Sequence, residues 1–446
     1  MHSTSCFLRF HPFLNQKSTF PFRFLRPRVF LHLRRKLTIG SHPGKFCCTL
    51  RHAHIHYRGM ASAAPRGPPG REEHENIEEQ RYIWYDCDPG CDDAVALVLA
   101  VAAPEMRLAR AAQNKTTPPQ LLGVSTVTGN VDLAKVTVNA RRMLYLSTGA
   151  MDSIPVYPGA GRPLLRELRY AEHVHGETGL DGTDVLGKIA LPPSSSDDRP
   201  HAVEAMRDAI LGTPKHSTWL VCTGPLTNAS LLFSTYGDLV CGHLAGLCFM
   251  GGAVGVGNLN SAVEFNMAAD PEAAKIVLEV YLYAPKIRET VMVPLDLTTQ
   301  VLAGKEFVQK IETACGTEKA LPRTVAQLLT KAGQSYASAR RDIVVNEKYG
   351  DRYPLHDPCA IFYVLRPELF RTDPCRVRVE AASELCAGQT VVVDFLAKEI
   401  AERETAGGEK GKLEIQIAFQ MNLDLFWEAV LEAIVIGSKK GAVVLE

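Results

Sequence analysis

From residue 80 onward, short apolar runs alternate with longer stretches that pattern as helices. Tyr82–Asp88 (YIWYDCD) is a short apolar run ending in acids and predicts a strand. Asp92–Ala103 (DDAVALVLAVAA) opens on two acids and predicts a helix. Leu121–Gly129 predicts a second strand and Val131–Leu146 a second helix. Ser217–Thr223 reads as a strand leading to a helix from Thr227. Leu244–Met250 is a strand closing on Gly251-Gly252, Pro271–Val280 a helix, and Glu289–Pro294 lies in a strand. This alternation predicts a single α/β domain over residues 76–446. Its sheet is mostly parallel and Rossmann-like, with helices on both faces. In such sheets ligands bind outside the carboxyl ends of the strands. Each candidate motif below falls just after a predicted strand. Three polar segments, Arg110–Gln120, Leu191–Pro200 and Ala401–Lys412, read as insertions or charged turns, and there is no internal repeat.

Composition changes this picture mainly at the amino terminus. The formal net charge of the 446 residues is zero. Yet residues 1–70 hold twelve Lys or Arg and no acid, leaving 37 basic and 49 acidic residues in the rest, a net of −12. So acidic a body argues against nucleic acid as a partner. Residues 1–59 are rich in Arg, His, Phe and Ser, as mitochondrial transit peptides are. Met60, however, begins MASAAPRGPPG, which reads as an ordinary start followed by a flexible leader. Under either reading residues 1–75 are a leader outside the fold. The compartment is then the cytoplasm, or the mitochondrion if residues 1–59 are a genuine transit peptide. The twelve cysteines form no C-x-x-C pair and no zinc-finger spacing, so they read as reduced core thiols. No run of 18 apolar residues occurs, and no membrane span is expected.

The chemistry concentrates in Asp86-Cys87-Asp88-Pro89-Gly90-Cys91-Asp92-Asp93, with four carboxylates in eight residues at a strand-to-helix turn. Carboxylates that close repel, and each raises the others' pKa. A hard cation relieves the repulsion, and an all-oxygen ligand set suits calcium or magnesium. Asp92 and Asp93 could also be ordinary helix-capping acids. That reading leaves Asp86 and Asp88 unexplained. Pro89-Gly90 supplies a fixed φ and then a permissive one for the elbow.

The stretch Asp86–Ala96 (DCDPGCDDAVA) resembles the amino-terminal signature of the inosine–uridine-preferring nucleoside hydrolases, DxDPGxDDAxA. Further stations of that family follow in order: Thr126–Asn130 (TVTGN), His175–Gly182 (HGETGLDG), Thr223–Asn228 (TGPLTN), Met250–Ala253 (MGGA), Gly257-Asn258, Glu264–Asn266, Asp270–Ala274 and His356-Asp357-Pro358. The resemblance covers about residues 81–436. It implies hydrolysis of the bond between ribose and base in nucleosides such as inosine and uridine. It implies one Ca2+ held by Asp88, Asp93, the Thr223 carbonyl and Asp357. Asp92 would bind the ribose 2′-hydroxyl, while Asn130, Asn258, Glu264 and Asn266 would hold the other sugar hydroxyls. Met250 would pack near the sugar, and Asp86 would be a supporting acid. Asp88 would be the general base, and His356 would donate to the departing base. It also implies a homodimer or homotetramer.

Other readings stand beside these. An Asp before Pro is a common helix start, the reading adopted for Asp270, whereas Asp373-Pro374 reads as a turn. Without the resemblance the helix-start reading would also win for Asp357. His175 either contacts substrate or merely belongs to a Gly-rich turn. Gly251–Gly257 lacks the Gly-Lys-Ser/Thr ending of a phosphate loop, so its glycines would let the backbone approach a ligand. Cys87 and Cys91 depart from the family pattern at positions that are not ligands. Tyr336–Tyr349 should supply contacts to the base, with Tyr349 and Arg340 as candidates. Rival classes are a hydrolase of another riboside such as a nicotinamide or cytokinin riboside, a riboside-binding protein without catalysis, and a haloacid-dehalogenase-like phosphatase. The last lacks its Gly-Thr or Gly-Val after Asp88.

Overall fold

The computed structural model describes residues 80–110, 117–192, 200–281, 287–339, 349–393 and 414–440. The leader reading of residues 1–75 lies outside them. So do most of the segment 191–200, the turn expected at 401–412, and Arg340. The strands are β1 (Tyr82–Cys87), β2 (Gln120–Thr126), β3 (Val156–Pro158), β4 (Thr218–Cys222), β5 (Gly246–Met250), β6 (Thr290–Val293), β7 (Leu302–Ala303), β8 (Tyr353–Pro354), β9 (Phe370–Cys375), β10 (Val377–Val379), β11 (Thr390–Val392) and β12 (Ile415–Met421). Eight of them form one sheet in the order β3-β2-β1-β4-β5-β6-β12-β9. Every pairing in it is parallel except that of β12 with β9.

Side chains on a strand alternate between the two faces of its sheet. Here that alternation fills two cores. Ile83, Tyr85, Cys87, Val221, Cys248 and Val291 join one cluster, with helices Cys91–Ala102, Leu133–Thr148, Pro358–Leu365 and Leu423–Lys440. Trp84, Leu220, Cys222, Leu247, Phe249 and Met292 join the other, with helices Ala202–Leu211 and Thr227–Val240. Helices therefore cover both faces. Helix Cys91–Ala102 is apolar nearly all round because it packs against both Leu133–Thr148 and Leu423–Lys440.

The chain runs outward from β1 to β3, then crosses back and continues on the other side of β1 with β4. The strand order reverses there, between β1 and β4, and ligands of such sheets bind at the carboxyl ends of the strands beside that switch. The acidic elbow lies at the end of β1 and Thr223 at the end of β4.

Some expectations are corrected. Helix Pro271–Val280 is a short α-helix, Pro271–Lys275, that continues as a π-helical turn over Ile276–Tyr281. Asp373-Pro374 is no turn: it lies within β9, paired with Ile417 and Gln416. A proline is tolerated there because β9 is the outermost strand of the sheet. Gly90 has φ −100, an ordinary value, so the elbow does not need glycine's conformational freedom. It needs the space, since a Cβ there would lie 2.4 Å from His175 Nδ1.

Candidate active site

Asp86, Asp88, Asp92 and Asp93 are all buried. Asp93 sits three residues into the helix start and accepts from the Gly90 N–H at 3.0 Å. Its other oxygen accepts from the Thr223 hydroxyl at 2.8 Å and the Tyr85 hydroxyl at 3.3 Å. Asp92 accepts from the Tyr353 hydroxyl at 3.1 Å. Asp88 Oδ2 accepts from the Asn130 N–H at 2.8 Å, while Asp88 Oδ1 is buried with no hydrogen-bond partner among the described residues. Two glycines clear the space around that carboxylate. A Cβ on Gly129 would stand 2.0 Å from Oδ2, and one on Gly224 would stand 2.8 Å from Oδ1. This is why the TVTGN and TGPLTN stations carry glycine.

Asp357 completes the cluster from the far end of the chain. Carboxylate oxygens of Asp92, Asp93 and Asp357 lie within 4.8 Å of one another. Two ligands across a calcium ion, each bonded at about 2.4 Å, span a similar distance. The electrostatics agree. Burial, reinforced by the charge of Asp93, pushes the Asp88 carboxyl well above the usual carboxylate range. Burial and then the charges of Asp92, Asp93 and Asp88 do the same to Asp357. Burial and the neighbouring Asp92 bring Asp93 up to about 7. Burial brings Asp86 up to about 7 as well, against hydrogen bonds from Ser125 and Asn228 that favour its charge. Such a set cannot be fully ionised near neutral pH without added positive charge. The orphaned Asp88 oxygen and the triad spacing thus fit a divalent cation.

On the β5 side, Glu264 is buried and accepts from the N–H groups of Gly252, Asn266 and Met267. Asn266 donates to the Thr223 carbonyl at 2.7 Å and to the Met250 carbonyl at 3.3 Å. Asn130 also reaches Asp93, at 3.4 Å. Asn258 differs from its companions: it is exposed, and its side-chain oxygen accepts from the Phe265 N–H at 2.9 Å within its own loop. His175 is buried, and its Nδ1 accepts from the Cys91 N–H at 3.1 Å, which places the ring proton on Nε2. His356 is half-buried, and its Nδ1 pairs with the Thr298 hydroxyl at 2.7 Å. Tyr349 is buried edge-on against Tyr336, which meets Tyr353 in the same way.

Several contributors were not foreseen. Tyr85 and Tyr353 donate to the acids, and a tyrosine carries no local signal for that. Asn228 lies inside TGPLTN and holds Asp86 and the Thr126 carbonyl. Asn139 ties the elbow to the 175–182 loop through the Pro89 and Thr178 carbonyls. Asp296 and Thr298 lie in the short helix Leu295–Thr298 that follows β6. Position at a strand's carboxyl end was the signal that could have found them.

Comparison with known proteins gives this constellation its class. Residues 83–428 match the family described as inosine-uridine preferring nucleoside hydrolase. The chain belongs to that family, and is an enzyme that hydrolyses the N-glycosidic bond of ribonucleosides. It is 40% identical over 314 residues to a pyrimidine-specific ribonucleoside hydrolase of Shewanella sp. strain MR-4, covering 70% of this chain and 86% of that one. A non-specific ribonucleoside hydrolase of Salmonella paratyphi C is 38% identical over 311 residues, covering 70% and 87%. The fold resembles that of a purine-preferring ribonucleoside hydrolase from Gardnerella vaginalis, with a TM-score of 0.64 at 20% identity over 80% of this chain and 99% of that one. Among the described residues no helix is long and apolar enough to cross a membrane.

Proposed function

We propose that the chain hydrolyses purine and pyrimidine ribonucleosides, inosine and uridine among them, to ribose and free base, with Asp88 as general base. The observation that carries this reading is the Asp88 carboxylate: one oxygen held by the Asn130 N–H, the other buried without a hydrogen-bond partner among the described residues, close enough to Asp92, Asp93 and Asp357 to feel or exert their charge. Asp88, Asp93, Asp357 and the Thr223 carbonyl would hold Ca2+. A cation bound there would balance the four acids and lower the pKa of a bound water.

The remaining work falls to the chain's own groups. Asp88 Oδ1 takes the proton of the attacking water. Asp92, Asn130, Asn258, Glu264 and Asn266 orient the ribose through its hydroxyls, and Met250 packs against the sugar. Positive charge builds on the ribose ring as the bond to the base breaks. Buried carboxylates that do not reorganise stabilise it. His175, with its proton on Nε2, offers a donor to the substrate, and His356 donates to the departing base. Asp86 buttresses the elbow. Homodimeric or homotetrameric assembly and a cytoplasmic location belong to the same reading.

The test is ribose release from inosine, uridine, adenosine and nicotinamide riboside, with and without a calcium chelator, on protein beginning at Met60. Asp88→Ala should lower kcat about 10²- to 10⁴-fold. Undiminished turnover by that variant, or by chelated enzyme, would overturn the assignment. A preference for nicotinamide riboside would redirect the substrate and leave the sugar chemistry intact.

A further inference from the structure

His356 makes a contact that the mechanism above does not use. Its Nδ1 lies 2.7 Å from the Thr298 hydroxyl oxygen. Both partners stand on pinned backbone. Thr298 closes the short helix Leu295–Thr298 after β6, and its N–H donates to the Pro294 carbonyl at 3.1 Å. The start of that helix is tied to the Gly251-Gly252 turn after β5 by the Leu295 N–H on the Gly252 carbonyl, at 3.0 Å. His356 follows Leu355, whose N–H donates to the Val301 carbonyl at 2.9 Å.

The direction of the bond follows from hydrogen-bond bookkeeping. The Thr298 side chain is fully buried. Among the described residues its hydroxyl has one partner, His356 Nδ1. Its neighbour Thr299 instead donates back to the Leu295 carbonyl. A buried hydroxyl proton needs an acceptor. Thr298 therefore donates, Nδ1 accepts, and the imidazole proton sits on Nε2. The partner of one ring nitrogen sets the role of the other.

We infer that Thr298 is a positioning residue for the leaving group: its hydroxyl fixes the orientation and tautomer of His356, so that Nε2–H faces the departing base. The inference rests on the donor role proposed for His356. As the C1′–N bond breaks, its electron pair goes to the base. A donor already aimed there lowers the cost of that charge, and a freely turning imidazole does so less often.

The experiment compares two substrates. Inosine needs help with its leaving group. 4-Nitrophenyl β-D-ribofuranoside releases a stable phenolate and needs none. Thr298→Val keeps the volume and removes the hydroxyl; Thr298→Ser restores it. The expected result is an inosine kcat about tenfold lower in Thr298→Val, with the aryl riboside unchanged and inosine turnover recovered in Thr298→Ser. Equal losses on both substrates would reduce Thr298 to a packing role and overturn the inference, as would no loss on either. His356→Ala run alongside separates the two levels. A selective loss on inosine in His356→Ala without one in Thr298→Val sinks only the positioning role. No selective loss in His356→Ala sinks the donor role of His356 and the inference with it.

Discussion

Two aspartates in this chain are each followed by a proline that opens a helix, and they do opposite things. Asp270 and Asp357 are both buried, at 0% and 4% exposure. Asp270 has φ −145 and ψ 78, and its side chain turns back to accept from the Ala273 N–H at 3.1 Å. It accepts also from the Thr227 hydroxyl and the Leu164 N–H. Asp357 has φ −68 and ψ −38, already helical, and makes no cap. Its carboxylate faces Asp92 and Asp93 instead. Burial raises the pKa of both, but donors counter it at Asp270 while three more acids add to it at Asp357. The difference separates two uses of a buried acid. One surrounded by donors joins elements together. One surrounded by acids is stable only with something positive among them.

Substitution at the two sites should break them apart. Asp357→Asn should lower kcat/KM on ribonucleosides about 10²- to 10³-fold, because it removes a proposed cation ligand. Metal-free, it should melt no lower than the wild type, since a like charge is gone. Asp270→Ala should lose about 1–3 kcal/mol of stability through its cap and its two other donors, with kcat/KM nearly unchanged. Denaturant melts and steady-state rates on the same samples check both. An Asp270→Ala enzyme that folds normally yet fails to turn over would void the contrast.

The same contrast marks what the sequence could and could not reveal. The parallel sheet and the strand-end sites were legible because hydrophobic period and chain order carry them. Asp88, Asp92 and Asp93 were legible because four acids crowded into one turn repel one another unless a cation joins them. Asp357 was legible only through resemblance, since an Asp-Pro pair does not disclose its φ and ψ. Asp373 misled for the same reason: its pairing in β9 is set by β12, more than forty residues on. Tyr353 and Thr298 left no local trace because their contacts, with Asp92 and His356, are tertiary alone. Asn258 shows the converse, a motif residue whose side chain is engaged within its own loop.

If acids crowd acids here, pH should register it. Asp86 and Asp93 stand near 7 in the folded protein against an ordinary 3.8. Raised carboxyl pKa values mean the folded state holds protons that the unfolded state has released. That stabilisation is complete below about pH 4 and is lost as pH rises through about 7. Chelated protein should therefore melt higher at pH 5 than at pH 8, by at least about 4 °C. Added calcium should raise the melting temperature more at pH 8 than at pH 5. Asp93→Asn should flatten the chelated profile. A steep profile surviving in Asp93→Asn would leave Asp86, also raised to about 7, as its source, and adding Asp86→Asn should then flatten it.

Asp296 provides the finest test, being half-buried and bonded to the loop that runs on to Asn258 and Glu264. Its two oxygens accept from the N–H groups of Val254 and Gly255, both at 2.8 Å. By the contrast drawn above it is a joining acid like Asp270. What it joins is the end of β6 to the loop that leads into Asn258 and Glu264. Asp296→Ala should therefore act through loop placement, raising KM for ribonucleosides about three- to tenfold while kcat stays within about twofold. Asp296→Asn keeps one acceptor oxygen and should fall between. A loss confined to kcat would mean that Asp296 acts on the reaction itself. An acid held by two backbone donors would then work as Glu264, held by three, is proposed to, and only neighbouring acids would separate working acids from joining ones.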